Sequence, residues 1–474
     1  MRNSIVIFTL FLLFSLINFS CSNKRPLDKP NVLFIAVDDL RPEIGAYGAT
    51  HIKSPNIDRL SAEGLTFNRA YCNVPVCGAS RASLLMGIKP TKNRFVNYYT
   101  YAQKDAPGAI SLPQHFKNNG YYTISNGKIF HNQDDMLDSW SEDPWRPNSK
   151  NGRDYITEKN IKICDSIDNG RAWPFEWVEA HDTAYFDGQM TQKTIRDLKR
   201  LRELDQPFFL AAGFLKPHLP FNAPQKYWDM YPYENISLPE NYYRPENAPD
   251  AAIHNFGELR NYYGVPKNGP VSDEMARTLI RGYYACVSYT DALVGKLLTA
   301  LDELELRENT IVILWGDHGW QLGEHSLWCK HSNFDVAMRV PMIISAPGFD
   351  GGQNTNALVE YIDIFPSLCE LAGLDLPIQL HGKSFVPLMD NPNQDFKDLI
   401  YARFINGESI KTNEYLYTEW FNKEGEYYGR MLYDHKNDPD ENVNISEYPE
   451  NEALVDSLSK ILHHEMESAF EINL

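Results

Sequence analysis

Two apolar runs that each end in acid constrain this chain more than any other feature. Residues 31–37 (NVLFIAV) run into Asp38-Asp39, and residues 311–315 (IVILW) run into Gly316-Asp317-His318. Short, continuous, β-branched apolar runs read as strands buried on both faces, as in parallel sheets covered by helices. In open α/β sheets, ligands sit outside the carboxyl ends of the strands. Two such strands would bring Asp38, Asp39 and Asp317 to one sheet edge. Alone, Asp-Asp after a strand is explained as well by a turn or a helix cap. The second acidic strand end favours an oxygen-rich site for a hard cation such as Ca2+ or Mg2+.

Further buried-strand candidates lie at 121–125, 208–213 and 342–345. Helices are expected at 55–64, with Ser54 as cap and Gly64 as stop, and at 273–304 and 363–372. The alternation predicts an α/β fold: a large mixed, mostly parallel sheet flanked by helices. Residues 134–182 and 220–270 read as long irregular excursions, which in a compact domain are usually functional or mobile. Beyond residue 380, short β-like runs at 415–420 and 430–433 precede a closing helix at 452–470. The expected division is an export signal at 1–21, a catalytic domain at 22–379 and a smaller C-terminal α+β subdomain at 380–474.

The export reading rests on Arg2, the apolar run 5–17 and the following Asn18-Phe19-Ser20. The run is too short to span a membrane. Cys21 after a small residue reads as a bacterial lipoprotein attachment site. The mature protein is therefore expected in the periplasm or on the cell surface, anchored through lipid, with simple secretion as the alternative. Of seven cysteines, an odd number remains once Cys21 and Cys77 are set aside, and no CxxC pair suggests zinc. Most are expected to be buried free thiols. A net charge of −18 argues against nucleic acid as a partner. Any site for an anionic ligand must be a local basic pocket. Aromatic residues make up 13% of the chain, and sugar-binding clefts use exposed ones as flat apolar platforms.

Residues 77–87 read CGASRASLLMG. A helix is expected from Ser80 to Met86. A nucleophile just before its N-terminus would sit beside free backbone N–H groups that bind anions, and Arg81 adds a charge that can hydrogen-bond an oxyanion. A lone cysteine is ordinarily a buried thiol; the flanking C-x-A-S-R-x-x-L-L-x-G pattern overrides that. Other motifs follow in order: NVLFIAVDDLR at 31–41, GKIFH at 127–131, KPHLPF at 216–221, GDHGWQLGEH at 316–325, WCKHSNF at 328–334 and LYDHKNDPDENVN at 432–444.

Together these motifs, across nearly all of the mature chain, resemble the type I sulfatases of the alkaline phosphatase superfamily, and within them the iduronate-2-sulfatase branch. Ala79 stands where many members carry proline, a familiar alternative. The resemblance implies that Cys77 is oxidised to formylglycine (3-oxoalanine) by a formylglycine-generating or anaerobic sulfatase-maturating enzyme, and that its hydrate is the nucleophile. Asp38, Asp39, Asp317 and His318 would hold one Ca2+, with an oxygen of modified Cys77 or of the sulfate completing the shell. Arg81 and Lys128 would orient the diol, and His131 would act as base on its second hydroxyl. His218 and Lys330 would hold the sulfate and assist departure of the alcohol. The expected substrate is a sulfated polysaccharide or oligosaccharide containing uronic acid, of glycosaminoglycan or ulvan type. The alternatives are a phosphate or phosphonate ester hydrolase with the same site, and a sulfoglycan-binding protein whose cysteine is never matured.

Overall fold

The computed structural model describes residues 29–148 and 153–472. The export signal and Cys21 lie outside the described residues. The central sheet has seven strands: β1 (Asn31–Val37), β2 (Leu65–Phe67), β3 (Tyr122–Gly127), β4 (Phe208–Phe214), β5 (Thr310–Gly316), β6 (Met342–Ser345) and β7 (Gln353–Thr355). Their spatial order is β7-β2-β6-β5-β1-β4-β3. β3, β4, β1 and β5 run parallel, as does the β7–β2 pair, while β6 is antiparallel to both its neighbours. The sheet is mixed and mostly parallel, as the sequence predicts.

The strands are buried because they feed two cores at once. Val32, Phe34 and Ala36 of β1 face one cluster, and Leu33, Ile35 and Val37 face the other. Alternating direction along a strand produces this split. Each large side chain so enclosed contributes roughly 1.5–3 kcal/mol. The first core is closed by α2 (Cys77–Met86) and α5 (Ile364–Leu371). The second is closed by α1 (Pro55–Ala62), α3 (Phe186–Arg202) and the 31-residue α4 (Asp273–Glu303).

Four differences from the sequence reading have local causes. Ser54 does not cap α1 with its side chain; its hydroxyl accepts from Gly45 N and donates to Asp58, fastening the preceding loop. α2 starts at Cys77 rather than Ser80, because Val76 is still extended. The two excursions are partly ordered: Phe175–Val178 and Phe221–Pro224 pair as parallel strands. The C-terminal region has four strands rather than two. These are β8 (Leu399–Phe404), β9 (Gly407–Thr412), β10 (Tyr415–Phe421) and β11 (Tyr427–Asp434), an antiparallel meander. One face of the meander carries α6 (Glu452–Ser468) through Tyr401, Ile410 and Leu462. The other packs Trp420, Met431 and Tyr433 against Leu327 and Phe334. The meander thereby buttresses the loop between them.

The described cysteines Cys72, Cys77, Cys286, Cys329 and Cys369 are buried free thiols, and Cys164 is buried too. No described helix is long and apolar enough to cross a membrane.

Candidate active site

Strand register fixes where the chemistry gathers. Val37 is level with Gly316 on one side and Phe214 on the other, and Gly127 is level with Gly213. The residues that follow, Asp38, Asp317 and Lys128, therefore emerge at the same edge. The strands are crowded there: a Cβ on Gly213 would lie 2.2 Å from Lys128 O, so no larger residue fits. Asp39 turns the chain away with φ of 61°, a conformation uncommon outside glycine. Its carbonyl accepts from Tyr283 Oη at 2.8 Å, and its N–H donates to Asp317 Oδ1 at 2.9 Å.

Arg81, fully buried on α2, ties this edge together. Nε donates to Asp317 Oδ2 at 2.8 Å and Nη2 to Asp38 Oδ1 at 3.2 Å. Nη1 donates to the carbonyls of Lys128 and, at 3.1 Å, Ile129. Most of its donors are thus committed to holding the carboxylates and the 127–131 loop. Arg146, from the first excursion, fastens the same loop through the carbonyls of Gly127 at 3.1 Å and Phe130 at 2.6 Å.

Cys77 is the first residue of α2 and is 3% exposed. A Cβ on Gly78 would lie 2.8 Å from Asn97 O and Tyr98 Cα, so the helix start is pressed against the 97–98 backbone. Burial alone would push the Cys77 thiol up. Lys128, Lys330 and His131 reverse this and hold it well below its usual range. The surroundings stabilise negative charge at this side chain, whatever atom carries it.

Asp38 accepts from Lys128 Nζ at 2.6 Å. Burial opposes its ionisation, yet Lys128, His218 and Arg81 outweigh burial and hold its carboxyl well below the ordinary range. At Asp39 burial prevails, lifting it to about 6 despite His218 and Lys330. Lys330 Nζ donates to Asp39 Oδ1 at 3.0 Å and to Glu258 Oε1 at 3.2 Å, and lies 5.0 Å from the Trp320 ring centroid. Its neighbours Cys329 and His331 have φ of 73° and 75°. This strained backbone, held by the C-terminal meander, aims the lysine inward.

His318 Nδ1 lies 3.0 Å from Gly319 O. A carbonyl only accepts, so Nδ1 carries the proton and Nε2 is left facing the centre. Nε2 is buried without an aligned hydrogen bond, 3.3 Å from Asp39 Oδ1 and 3.6 Å from Asp317 Oδ1. Burial works against charge on this ring, but Asp317, Cys77 and Asp39 lift it to about 9; the carboxylates demand a cation among them. Two sets of side chains could hold one: Cys77 with Asp317 and His318, and Asp38 with Asp39 and His218.

All the residues singled out from the sequence, namely Cys77, Arg81, Lys128, His131, His218, Lys330, Asp38, Asp39, Asp317 and His318, meet at this one edge. Glu258 was not among them. It sits on a single helical turn, Gly257–Arg260, within the second excursion. Its Oε1 lies 3.1 Å from His218 Nε2. Burial opposes its charge, but Lys330 and His218 hold its carboxyl well below the usual range. No local pattern in the sequence singles it out from the other acids nearby.

The chain is similar to known proteins over most of its length. A family model described as Sulfatase matches residues 30–374, and one described as N-sulphoglucosamine sulphohydrolase, C-terminal, matches residues 323–468. Iduronate 2-sulfatase of Mus musculus is 33% identical, over 83% of this chain and 85% of that protein. A ulvan-active sulfatase of Formosa agariphila is 29% identical, over 92% of this chain and 81% of its own length. A solved structure of a protein with its substrate D-glucosamine-2-N,6-O-disulfate has the same fold, with a TM-score of 0.76 at 20% identity. It covers 93% of this chain and 98% of that one.

Proposed function

The chain belongs to the sulfatase family, enzymes that hydrolyse sulfate esters, and we propose that it acts on a sulfated polysaccharide or oligosaccharide containing uronic acid. The observation that carries this reading is Cys77 at the start of α2, under the charge of Lys128 and Lys330 and grouped with Asp317 and His318, at the edge that also holds Asp38 and Asp39. The relatives with iduronate and ulvan substrates in their names support the sugar class.

The donor set fits a hard divalent cation. Three buried carboxylates supply oxygens, and His318 Nε2 has no aligned partner. Asp38, Asp39, Asp317 and His318 would hold Ca2+, which polarises a sulfate oxygen and offsets its charge. Formylglycine at position 77 would supply, as its hydrate, an oxygen nucleophile.

The remaining chemistry falls to the chain's own side chains. Lys128 and Lys330 approach from two sides and place positive charge on the sulfate. Groups aimed in this way contribute about 3–4 kcal/mol each to the transition state. The first N–H groups of α2 have no intrahelical acceptor and point at the same place. His131 lies within hydrogen-bonding reach of residue 77 and takes a proton there. His218 Nδ1 is tied to Leu219 O at 2.6 Å, so the mobile proton is the one on Nε2. Glu258 and Asp39 favour the charged imidazole, which gives that proton to the departing sugar alcohol. Export and lipid attachment at Cys21 would put the enzyme where extracellular polysaccharide is met.

The test is sulfate release from matured protein on glycosaminoglycan and ulvan oligosaccharides, beside the sulfate and phosphate esters of one chromogenic alcohol. The expected result is release from uronate-containing sulfated sugars, with the aryl sulfate hydrolysed faster than its phosphate. Preference for the phosphate overturns the reading. So does a peptide mass showing an unmodified Cys77 thiol in fully active protein.

A further inference from the structure

A cleft of about 610 Å³ is walled by a row of aromatic rings centred on the strand Phe175–Val178, which pairs with Phe221–Pro224 a few residues after His218. Trp173 and Phe175 stack with centroids 5.8 Å apart, Phe175 and Trp177 follow at 5.9 Å, and Trp177 rests on Trp228 at 4.7 Å. Phe175 and Trp177 are alternate residues of the strand Phe175–Val178, so they share a face. The opposite wall comes from the first turns of α4, with Met275 and Thr278. Packing alone does not account for the row, because Trp177 is 44% exposed at its end. A large ring left in water beside further rings marks a surface that something else covers.

The chemistry of the cleft selects a sugar. Flat apolar ring faces suit the C–H face of a pyranose, and an amphipathic ligand of that kind gains both burial and polar contacts. Lys159 Nζ stands 5.6 Å from the Trp173 centroid. Its neighbour Lys162 is taken by Glu158, whereas Lys159 has no carboxylate at ion-pair distance among the described residues. The lining sets Lys159 against Glu176 and Glu274, so an anionic group on a sugar is drawn to the Lys159 end of the cleft and its hydroxyls to the other. Glu274, on the facing wall, can accept from sugar hydroxyls.

A short stretch around Arg171 also links the cleft to Glu258. Arg171 stacks on Tyr262 at 5.4 Å and donates to the Glu258 carbonyl at 3.3 Å. The Glu258 side chain in turn contacts Lys330 and His218. Two residues after Arg171, Trp173 begins the aromatic row. Tyr263 N, which donates to the carbonyls of Arg171 and Ala172, fixes the stretch in place. Arg171 itself has no carboxylate partner among the described residues.

We propose that this cleft is a distal saccharide subsite. It holds anionic sugar units of the polysaccharide beyond the one that loses sulfate, with Arg171 between the two. The proposal rests on the sulfated-carbohydrate reading above. The test compares wild type with the double variant Trp177→Ala/Lys159→Ala on a sulfated uronate-containing hexasaccharide, the matching disaccharide and a chromogenic aryl sulfate. KM for the hexasaccharide should rise about tenfold with kcat unchanged, and turnover of the two small substrates should not move. Calorimetric titration of catalytically silent Cys77→Ala protein with the hexasaccharide should weaken by the same factor when the double substitution is added. An unchanged hexasaccharide KM, or an equal fall on the aryl sulfate, overturns the subsite. Wild-type protein that hydrolyses the aryl sulfate but no sulfated oligosaccharide overturns the substrate reading beneath it.

Discussion

Buried Lys330 and partly buried Lys397 each lie between two carboxylates, and what else holds those carboxylates differs. Lys397 Nζ bridges Glu360 at 2.6 Å and Asp363 at 2.7 Å. Those carboxylates also accept backbone N–H groups, from Tyr401 N at Glu360 and from Glu360 N and Lys383 N at Asp363, and Glu360 takes the Asn73 side-chain amide as well. Backbone donors cannot leave, so this pair is closed and serves to join α5 to the C-terminal meander. Around Lys330, Asp39 faces only side chains: Lys330, His318 and His218. Side chains from separate elements can exchange one another for a ligand. Burial of charge is common to both places. Replaceable partners converging on one point distinguish the catalytic edge.

Substitutions can break or sharpen that contrast. The largest effect is expected from Cys77→Ala, which should lower sulfate release by at least about 10⁴-fold while leaving the melting temperature nearly unchanged. Retained turnover would break the comparison at its root. Next, Lys397→Ala leaves two buried carboxylates unpaired and should cost about 3–5 kcal/mol in urea unfolding, with kcat of the folded fraction intact. Lys330→Ala should do the reverse, lowering kcat about 10²–10³-fold with a smaller loss of stability. If both variants lose stability and activity in the same proportion, the two lysines are equivalent after all. The smallest effect concerns the carboxylate cradle. Calcium added to chelator-treated protein should stabilise it by about 2.7 kcal/mol at a hundredfold excess over Kd, read as a shift in thermal unfolding. Asp317→Asn should remove that shift, and a shift that survives in the variant would place the ion elsewhere.

Much of the catalytic edge was legible before any coordinates, because it is built from strand ends. An apolar run that must be buried delivers the residue after it to the sheet edge, so Asp38 and Asp317 could be paired from a distance in sequence of more than half the chain. Lys128 also follows a strand, Tyr122–Gly127, but the strand expected from the sequence stops at 125, so the lysine is marked only through the family resemblance, as Cys77 is by the C-x-A-S-R pattern. The misread elements share a cause too. β9 (GESIKT) alternates and lacks the continuous apolar character that identified β1 and β5, and β8 (LIYARF) is short and interrupted by Arg403, which pairs with buried Glu408 of β9.

The sequence by itself determined five strands of the sheet and the acidic ends of two of them, since burial and periodicity act locally along the chain, and the motif around Cys77 marked that residue. Only the tertiary structure decided that Glu258 reaches Lys330 and His218, that Arg81 clamps two carboxylates, and that Trp173, Phe175 and Trp177 wall an open cleft. Those arrangements depend on how helices and excursions pack against the strand ends, a property no short stretch of residues contains.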